Sequence, residues 1–357
     1  MPNKTNTKND NSGNLPLVII LAVCLVVLSV LMILVLQKFQ PTTSPSLPVV
    51  NTDPEAPQDP IGEKIELVNI EDMSLTQLTQ ALESNGVEYE IIPTNSKMAN
   101  RVEKIEGYTV DEDGKIIVNY GEKITIHSNI VDQDKIIYLT FDDGPMVNYS
   151  DSALTNIYYT TGDLLDVLDQ YNIKATFFLA GYQMVKSDRV HFVNEIYEKG
   201  HIIASHTYSH DFSTIYNSTS HFIDDVKKFE NALINILGEG TYNSIDKFIR
   251  FPGGSSTNGI LSNAKAKQFI EAIQNEGYKV YDWTTLTGDA EGVTTTQGMI
   301  NYMKQSINTA KNKNEPLILL MHDKKLMTDS LPAILDYLIG EGYYFDTIDN
   351  CPEYTFV

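Results

Sequence analysis

Cysteine is scarce in this chain: 357 residues contain two, Cys24 and Cys351. The first falls inside a long uncharged apolar run and the second near the C-terminus. No disulfide between them is plausible, so a disulfide-built scaffold is excluded, while the redox compartment stays open. Positive charge is scarce as well, with 26 Lys and Arg against 47 Asp and Glu and a formal net charge of −21. The first 40 residues hold Lys4, Lys8 and Lys38 against Asp10 alone, so the acidic excess belongs to residues 41–357. A field of that sign repels phosphate backbones and anionic lipid head groups. It excludes nucleic acid as a partner and leaves a neutral or cationic glycan acceptable. Tryptophan occurs once, as Trp283, and histidine seven times. What the chain does have, 42% hydrophobic residues and 20 tyrosines, describes a packed core and not a disordered polymer.

One run stands apart. Residues Leu15 to Leu36 are 22 consecutive positions without a charge. A helix of that length spans about 30 Å of hydrocarbon, and Pro16 sits at its start, where a helix tolerates proline. Secretory signals have a shorter apolar region and a small-residue cleavage site, which Gln37-Lys38-Phe39-Gln40-Pro41 lacks. The sequence therefore predicts an uncleaved transmembrane anchor in preference to a signal peptide. Lys4 and Lys8 before the span, with Lys38 alone after it, put residues 1–14 in the cytoplasm and the bulk of the chain outside. Residues 37–62, rich in Pro, Thr and Ser, read as an extended linker.

Residues 63–130 read as a small α+β unit. Leu75, Leu78 and Leu82 recur at helical spacing, and Asn85-Gly86 ends that helix. Short strands are expected at 87–91, 115–118 and 123–126, punctuated by Gly114 and Gly121. This pattern, closing on the YGEKITIHS stretch, resembles the PASTA module of bacterial cell-wall proteins without its opening proline. The resemblance leaves open a wall-binding module or a plain structural spacer.

From residue 131 strands and helices alternate. Strands are expected at 136–141, 175–180, 202–206, 248–251, 280–284, 317–322 and 344–348. Helices are expected at 163–171, 190–199, 223–237, 264–274, 299–310 and 331–340. Continuous apolar strands between amphipathic helices mean a parallel sheet covered on both faces. Seven such units suffice for a distorted, incomplete (β/α) barrel, and catalytic groups of such barrels sit at the C-terminal strand ends.

Polar residues fall there. The first strand ends in Thr140-Phe141-Asp142-Asp143-Gly144-Pro145, two carboxylates before an enforced turn. The third ends in His206-Thr207-Tyr208-Ser209-His210, whose histidines share a face if the segment makes a helical turn. Two imidazoles and one carboxylate form a metal site with open positions, suited to zinc and also to ferrous iron. Arg250-Phe251-Pro252-Gly253-Gly254, the Asp282-Trp283 to Gly288-Asp289 stretch and Leu320-Met321-His322-Asp323 occupy further strand ends.

With these motifs in order, residues 135–357 closely resemble the NodB-like polysaccharide deacetylases, which are metal-dependent carbohydrate esterases. TFDDGP at 140–145, HTYSH at 206–210, RFPGG at 250–254 and LMH at 320–322 carry the likeness. The resemblance implies a divalent cation, zinc first with Co2+, Ni2+ or Fe2+ as alternatives, held by Asp143, His206 and His210. It implies Asp142 as general base, His322 as general acid, Arg250 orienting Asp142 and Asp289 supporting His322. Gly253 would offer a backbone donor to the oxyanion, and Leu320 and Trp283 would line the pocket for the acetyl group. The substrate so implied is an N-acetylated cell-wall glycan, peptidoglycan first, with chitin or poly-N-acetylglucosamine as alternatives. A non-catalytic wall-binding protein on the same fold, or an amidase for a non-sugar C–N bond, are readings from other classes.

Three departures from the family pattern stand out. Gly253 replaces a usual aromatic residue. Ala290 follows Asp289 where a tryptophan is usual, which leaves Trp283 to complete the pocket, and the choice of Asp289 over Asp282 rests on its place at a strand end. The 146–160 link is long and carries Tyr149, Tyr158 and Tyr159, either as a lid or as a surface insertion.

Overall fold

The computed structural model describes residues 64–68, 74–109, 115–119, 121–149, 157–158, 160–255 and 261–352. The expected anchor at Leu15–Leu36 and the 37–62 linker lie outside the described residues. Among the described residues no helix is long and apolar enough to cross a membrane.

The small unit has its own core. Strand β1 (Lys64–Val68) pairs antiparallel with β4 (Lys115–Asn119), while β2 (Glu88–Ile92) and β3 (Lys104–Ile105) flank β5 (Lys123–His127). The Leu75–Ser84 helix starts at a reciprocal cap, in which Ser74 and Gln77 each accept the other's backbone N–H. Its Leu75, Leu78 and Leu82 pack onto Ile116, Val118, Ile124 and Ile126. β1 and the two-residue β3 are absent from the sequence-based expectation, and β3 is too short to give a periodic signal.

The larger unit is built on one curled, parallel sheet. Its strands are β6 (Ile136–Asp142), β9 (Thr176–Leu179), β10 (Ile202–Ser205), β11 (Phe248–Ile249), β12 (Lys279–Val280), β13 (Thr285–Leu286), β14 (Leu317–His322) and β15 (Tyr344–Asp346). Two short strands, β7 (Asn148–Tyr149) and β8 (Ile157–Tyr158), form a hairpin outside it. The order across the sheet is β12-β11-β10-β9-β6-β14-β13, with β15 pairing the start of β6. The single fifth strand expected at 280–284 is instead two pieces. β12 pairs β11 at one edge of the sheet and β13 pairs β14 at the other. The intervening Tyr281 N–H reaches Ile249 O at 2.9 Å and Thr284 N–H reaches Ile318 O at 3.1 Å, so the two edges are parts of one interrupted segment.

Side-chain parity fixes what each strand presents. Ile137, Leu139 and Phe141, with Phe177, Leu179, Ile203, Leu317, Leu319 and Met321, share a core with residues of the Thr160–Tyr171, Val190–Glu198, Thr219–Leu237, Thr296–Asn312 and Lys325–Gly340 helices. The alternate residues Ile136, Tyr138, Phe178, Ala204, Phe248 and Ile318 fill the inside. Continuing that alternation puts Thr140, Asp142, His206, Arg250, Leu320 and His322 on the inner side at the C-terminal ends. Cys351 closes the opposite end, buried among Tyr138 and Tyr281, and burial pushes its thiol up so that it stays inert.

Candidate active site

Arg250 organises the base side. It is fully buried, and Nη1 donates to Asp142 Oδ1 and Thr140 Oγ1, both at 2.7 Å. Its Nε and Nη2 donate to Tyr281 O and Asp282 O, both at 3.1 Å, the two carbonyls exposed where the fifth strand breaks. The guanidinium also lies 4.1 Å from the Phe178 ring centroid and 5.9 Å from that of Trp283. A residue with one fixed fork of donors thus satisfies the strand break and points Asp142 at the same time. Asp142 is buried, and its second oxygen stays 3.8 Å from His206 Nε2.

Asp143, the neighbouring carboxylate, turns the other way, with its backbone at φ 73°. Its Oδ1 lies 3.3 Å from His210 Nε2 and 3.6 Å from His206 Nε2, and one donor atom from each of the three residues falls within 4.8 Å of the others. The donor set fits a divalent cation. His206 Nδ1 is 2.9 Å from Arg250 O, so it carries the proton and leaves the Nε2 lone pair facing Asp143. Burial holds the His206 pKa below the ordinary imidazole range, which keeps that lone pair free.

The histidine pair does not sit on the helical turn its spacing suggests. Residues 206–210 form an irregular bend, with Thr207 at φ 65° and His210 at φ 53°. The cause is Asp225, a residue that sequence reasoning misses. Its buried Oδ1 accepts the N–H groups of Tyr208 at 2.7 Å and Ser209 at 2.9 Å, and these bonds replace helical ones. A signal for it does exist, because Asp225 interrupts the apolar stripe Phe222, Val226 and Phe229 of the Thr219–Leu237 helix.

His322 sits directly across the ladder from Asp142, at the end of β14. Asp289 holds it twice over, accepting the His322 N–H at 2.9 Å and contacting Nδ1 at 3.1 and 3.2 Å. Thr287 Oγ1 donates to the same carboxylate at 3.1 Å. Burial works against both charges, yet the hydrogen bonds and attraction within the pair overcome it. The His322 pKa is raised and the Asp289 pKa lowered. Asp282 is occupied elsewhere, its carboxylate accepting Ser255 N–H and Oγ. The geometry brings together Asp142, Arg250, Asp143, His206, His210, His322 and Asp289.

The remaining candidates surround this group. Leu320 is buried on β14, opposite Thr140 and Leu286. Trp283 lies in the strand break, half-buried near Arg250. Gly253 and Gly254, at φ 75° and 84°, lie in the turn after β11, which is closed by Gly254 N–H to Phe251 O at 2.8 Å. That backbone favours glycine, which accounts for the missing side chain at 253. Beneath the Asp143 loop, the buried Asp323 accepts from Thr161 Oγ1, which in turn accepts Met146 N–H at 2.7 Å.

A curled parallel sheet with a carboxylate–arginine pair, a three-donor cluster and an imidazole–carboxylate pair at its strand ends defines a hydrolase of the α/β-barrel class. Within that class, residues 130–272 match the model of the polysaccharide deacetylase family. A putative polysaccharide deacetylase of Bacillus subtilis is 27% identical over 222 residues, covering 61% of this chain and 68% of the relative. A peptidoglycan-N-acetylglucosamine deacetylase of Bacillus cereus is 29% identical over 214 residues, covering 59% and 68%. The catalytic domain of a peptidoglycan N-acetylglucosamine deacetylase from Eubacterium rectale, a solved structure, is 29% identical with a TM-score of 0.49. That match covers 62% of this chain and 94% of the solved one.

Proposed function

We propose that the protein is a membrane-anchored, extracytoplasmic N-deacetylase of peptidoglycan, hydrolysing the acetamide of its N-acetylglucosamine or N-acetylmuramic acid units. The observation that carries the reading is the juxtaposition of Asp142, held by Arg250 at 2.7 Å, with His322, held by Asp289, on adjacent strands. A base and an acid so arranged, beside a three-donor cluster, suit hydrolysis of an unactivated amide. The similarity to the Bacillus cereus peptidoglycan deacetylase supports the choice of glycan. The apolar run at Leu15–Leu36 and the linker after it support the location.

Asp143, His206 Nε2 and His210 Nε2 would hold the cation, zinc in our reading. When bound, zinc supplies Lewis acidity, which lowers the pKa of water towards about 7 and polarises the carbonyl. Asp142 takes the proton of the attacking water through Oδ2, since Oδ1 is committed to Arg250. A backbone N–H at Gly253 meets the charge that grows on the carbonyl oxygen. His322, kept cationic by Asp289, gives its proton to the departing sugar amine. Leu320 and Trp283 form the apolar wall for the acetyl methyl.

The test is acetate release from peptidoglycan and from N-acetylglucosamine oligomers by the full chain in detergent. We expect release with zinc, loss with a chelator, and loss of at least about a hundredfold in Asp142→Asn. Release that survives Asp142→Asn, or no release from any N-acetylated glycan by the zinc-loaded chain, would refute the reading.

A further inference from the structure

Among the described residues, few large apolar side chains of the catalytic unit face solvent, and two of them flank the histidine bend. Phe212 is 40% exposed and Tyr182 39% exposed. Phe212 follows the second histidine closely, and its ring centroid is 5.2 Å from that of His210, tilted by 60°. Tyr182 joins the bend through its backbone, its N–H donating to Tyr208 O at 2.8 Å. Gly181 permits that contact, because a Cβ there would stand 2.9 Å from Tyr208 Cα.

Both rings are held. Phe212 stacks on Tyr216 with centroids 6.1 Å apart at 19°, and Tyr216 stacks on the buried Phe222 at 6.0 Å. Tyr216 Oη donates to Pro252 O at 2.7 Å, tying the stack to the loop of Gly253 and Gly254, which contribute no side chains of their own. Asp211 caps the short helix carrying Phe212, accepting Ser213 N–H at 3.1 Å. Tyr182 Oη accepts from Gln183 Nε2 at 3.0 Å, and Lys186 Nζ sits 5.2 Å from the ring centroid. The Phe212 ring is the outermost of its stack, and the core beneath it is complete without it. An apolar ring held in place yet left 40% exposed beside a reactive cluster forgoes part of its burial and prepares a binding surface.

We propose that Phe212 and Tyr182 are glycan platforms. Each takes the apolar C–H face of a pyranose flanking the unit that is deacetylated. This inference rests on the deacetylase reading and names the part of the substrate these rings recognise. An aromatic face carries partial negative charge and meets the partially positive axial C–H groups of a β-linked sugar. It needs no charge on the ligand, which suits a neutral polymer and an acidic protein.

The experiment is acetate release by the full chain in detergent, zinc-loaded, from N-acetylglucosamine oligomers of increasing length. Wild-type kcat/KM should rise with length. In Phe212→Ala and Tyr182→Ala we expect KM for the longer oligomers to rise about five- to tenfold, with kcat changed less than about twofold. Phe212→Trp should restore KM and Phe212→Leu should not. Unchanged KM at every length in both variants would overturn the proposal. So would a fall in kcat and zinc affinity with KM constant, since the ring would then act on His210 and not on sugar. If wild type releases no acetate at all, the deacetylase reading fails instead. Calorimetric titration with the same oligomers then tests the platforms alone: weaker binding by Phe212→Ala keeps them, and equal or absent binding in wild type and variant removes them.

Discussion

In the proposed mechanism Asp289 and Arg250 act through other residues, and each has a consequence that can be measured. The His322 pKa is raised although burial opposes its charge, because Asp289 bonds it and attracts it. If His322 is the general acid, as proposed, it works only while protonated, so the rate falls as pH rises through its pKa. In Asp289→Asn the raising influence is gone and burial remains, which moves that alkaline limb to lower pH. We expect the limb of the kcat–pH profile to shift down and activity near pH 7.5 to fall at least about tenfold. An unshifted limb would mean that Asp289 only positions the backbone of β14. Arg250 makes a different case, since four acceptors and the Phe178 ring surround it in a fully buried position. Lysine keeps the charge but not the fork. Arg250→Lys should therefore lose activity by about a hundredfold or more. It should also destabilise the fold by about 3 kcal/mol, read from denaturant unfolding, because Tyr281 O and Asp282 O lose their donors.

Elements are legible in the sequence where burial imposes a period and illegible where one side chain overrides it. The LILLMH run marks its strand at both ends, Leu317 to His322, because both faces of a parallel strand are apolar. The fifth strand defeats the same reasoning: its interruption depends on Arg250 reaching across to two carbonyls, and no local pattern encodes that reach. Among the candidate site residues, motif spacing exposes Asp142, Asp143, His206, His210 and His322, while Asp225 shows only as a break in the apolar stripe of its helix, with no motif around it. Its role predicts an effect on the candidate metal site without direct contact. Asp225→Ala frees the N–H groups of Tyr208 and Ser209, and the bend carrying both imidazoles loses its anchor. Competition with a chelator should show zinc affinity about ten- to a hundredfold weaker, with Asp225→Asn milder because its amide oxygen can still accept. Equal affinity in wild type and Asp225→Ala would mean that the bend holds itself.

At the scale of the whole molecule, the small unit is fastened to the catalytic one, a relation that no sequence window contains. Met98 enters the catalytic core, Ala99 N–H donates to Phe345 O at 2.7 Å, and Phe345 N–H donates to Lys97 O at 2.8 Å. The 97–99 segment thus adds to the edge of β15. Arg101 completes the junction, pairing with the buried Asp346 at 3.3 Å and donating to Thr347. Burial outweighs Arg101 here and pushes the Asp346 carboxyl up to about 6. An acid whose pKa is raised on folding favours the fold in its protonated form. That contribution is fully present below the ordinary value near 4 and is lost as pH rises through about 6. A rise of that size is worth about 3 kcal/mol. Asp323, also pushed up to about 6 by burial, acts in the same window. Thermal unfolding of the chain should therefore show Tm falling between about pH 4 and pH 6.5, and Asp346→Asn should flatten part of that fall. A chain cut to residues 131–357 removes Met98, Ala99 and Arg101, leaves Asp346 without its cation, and should melt lower than the full chain at pH 7.5 by several degrees. Equal Tm values for the two lengths would mean that the junction contributes nothing to stability, and that the small unit is only tethered.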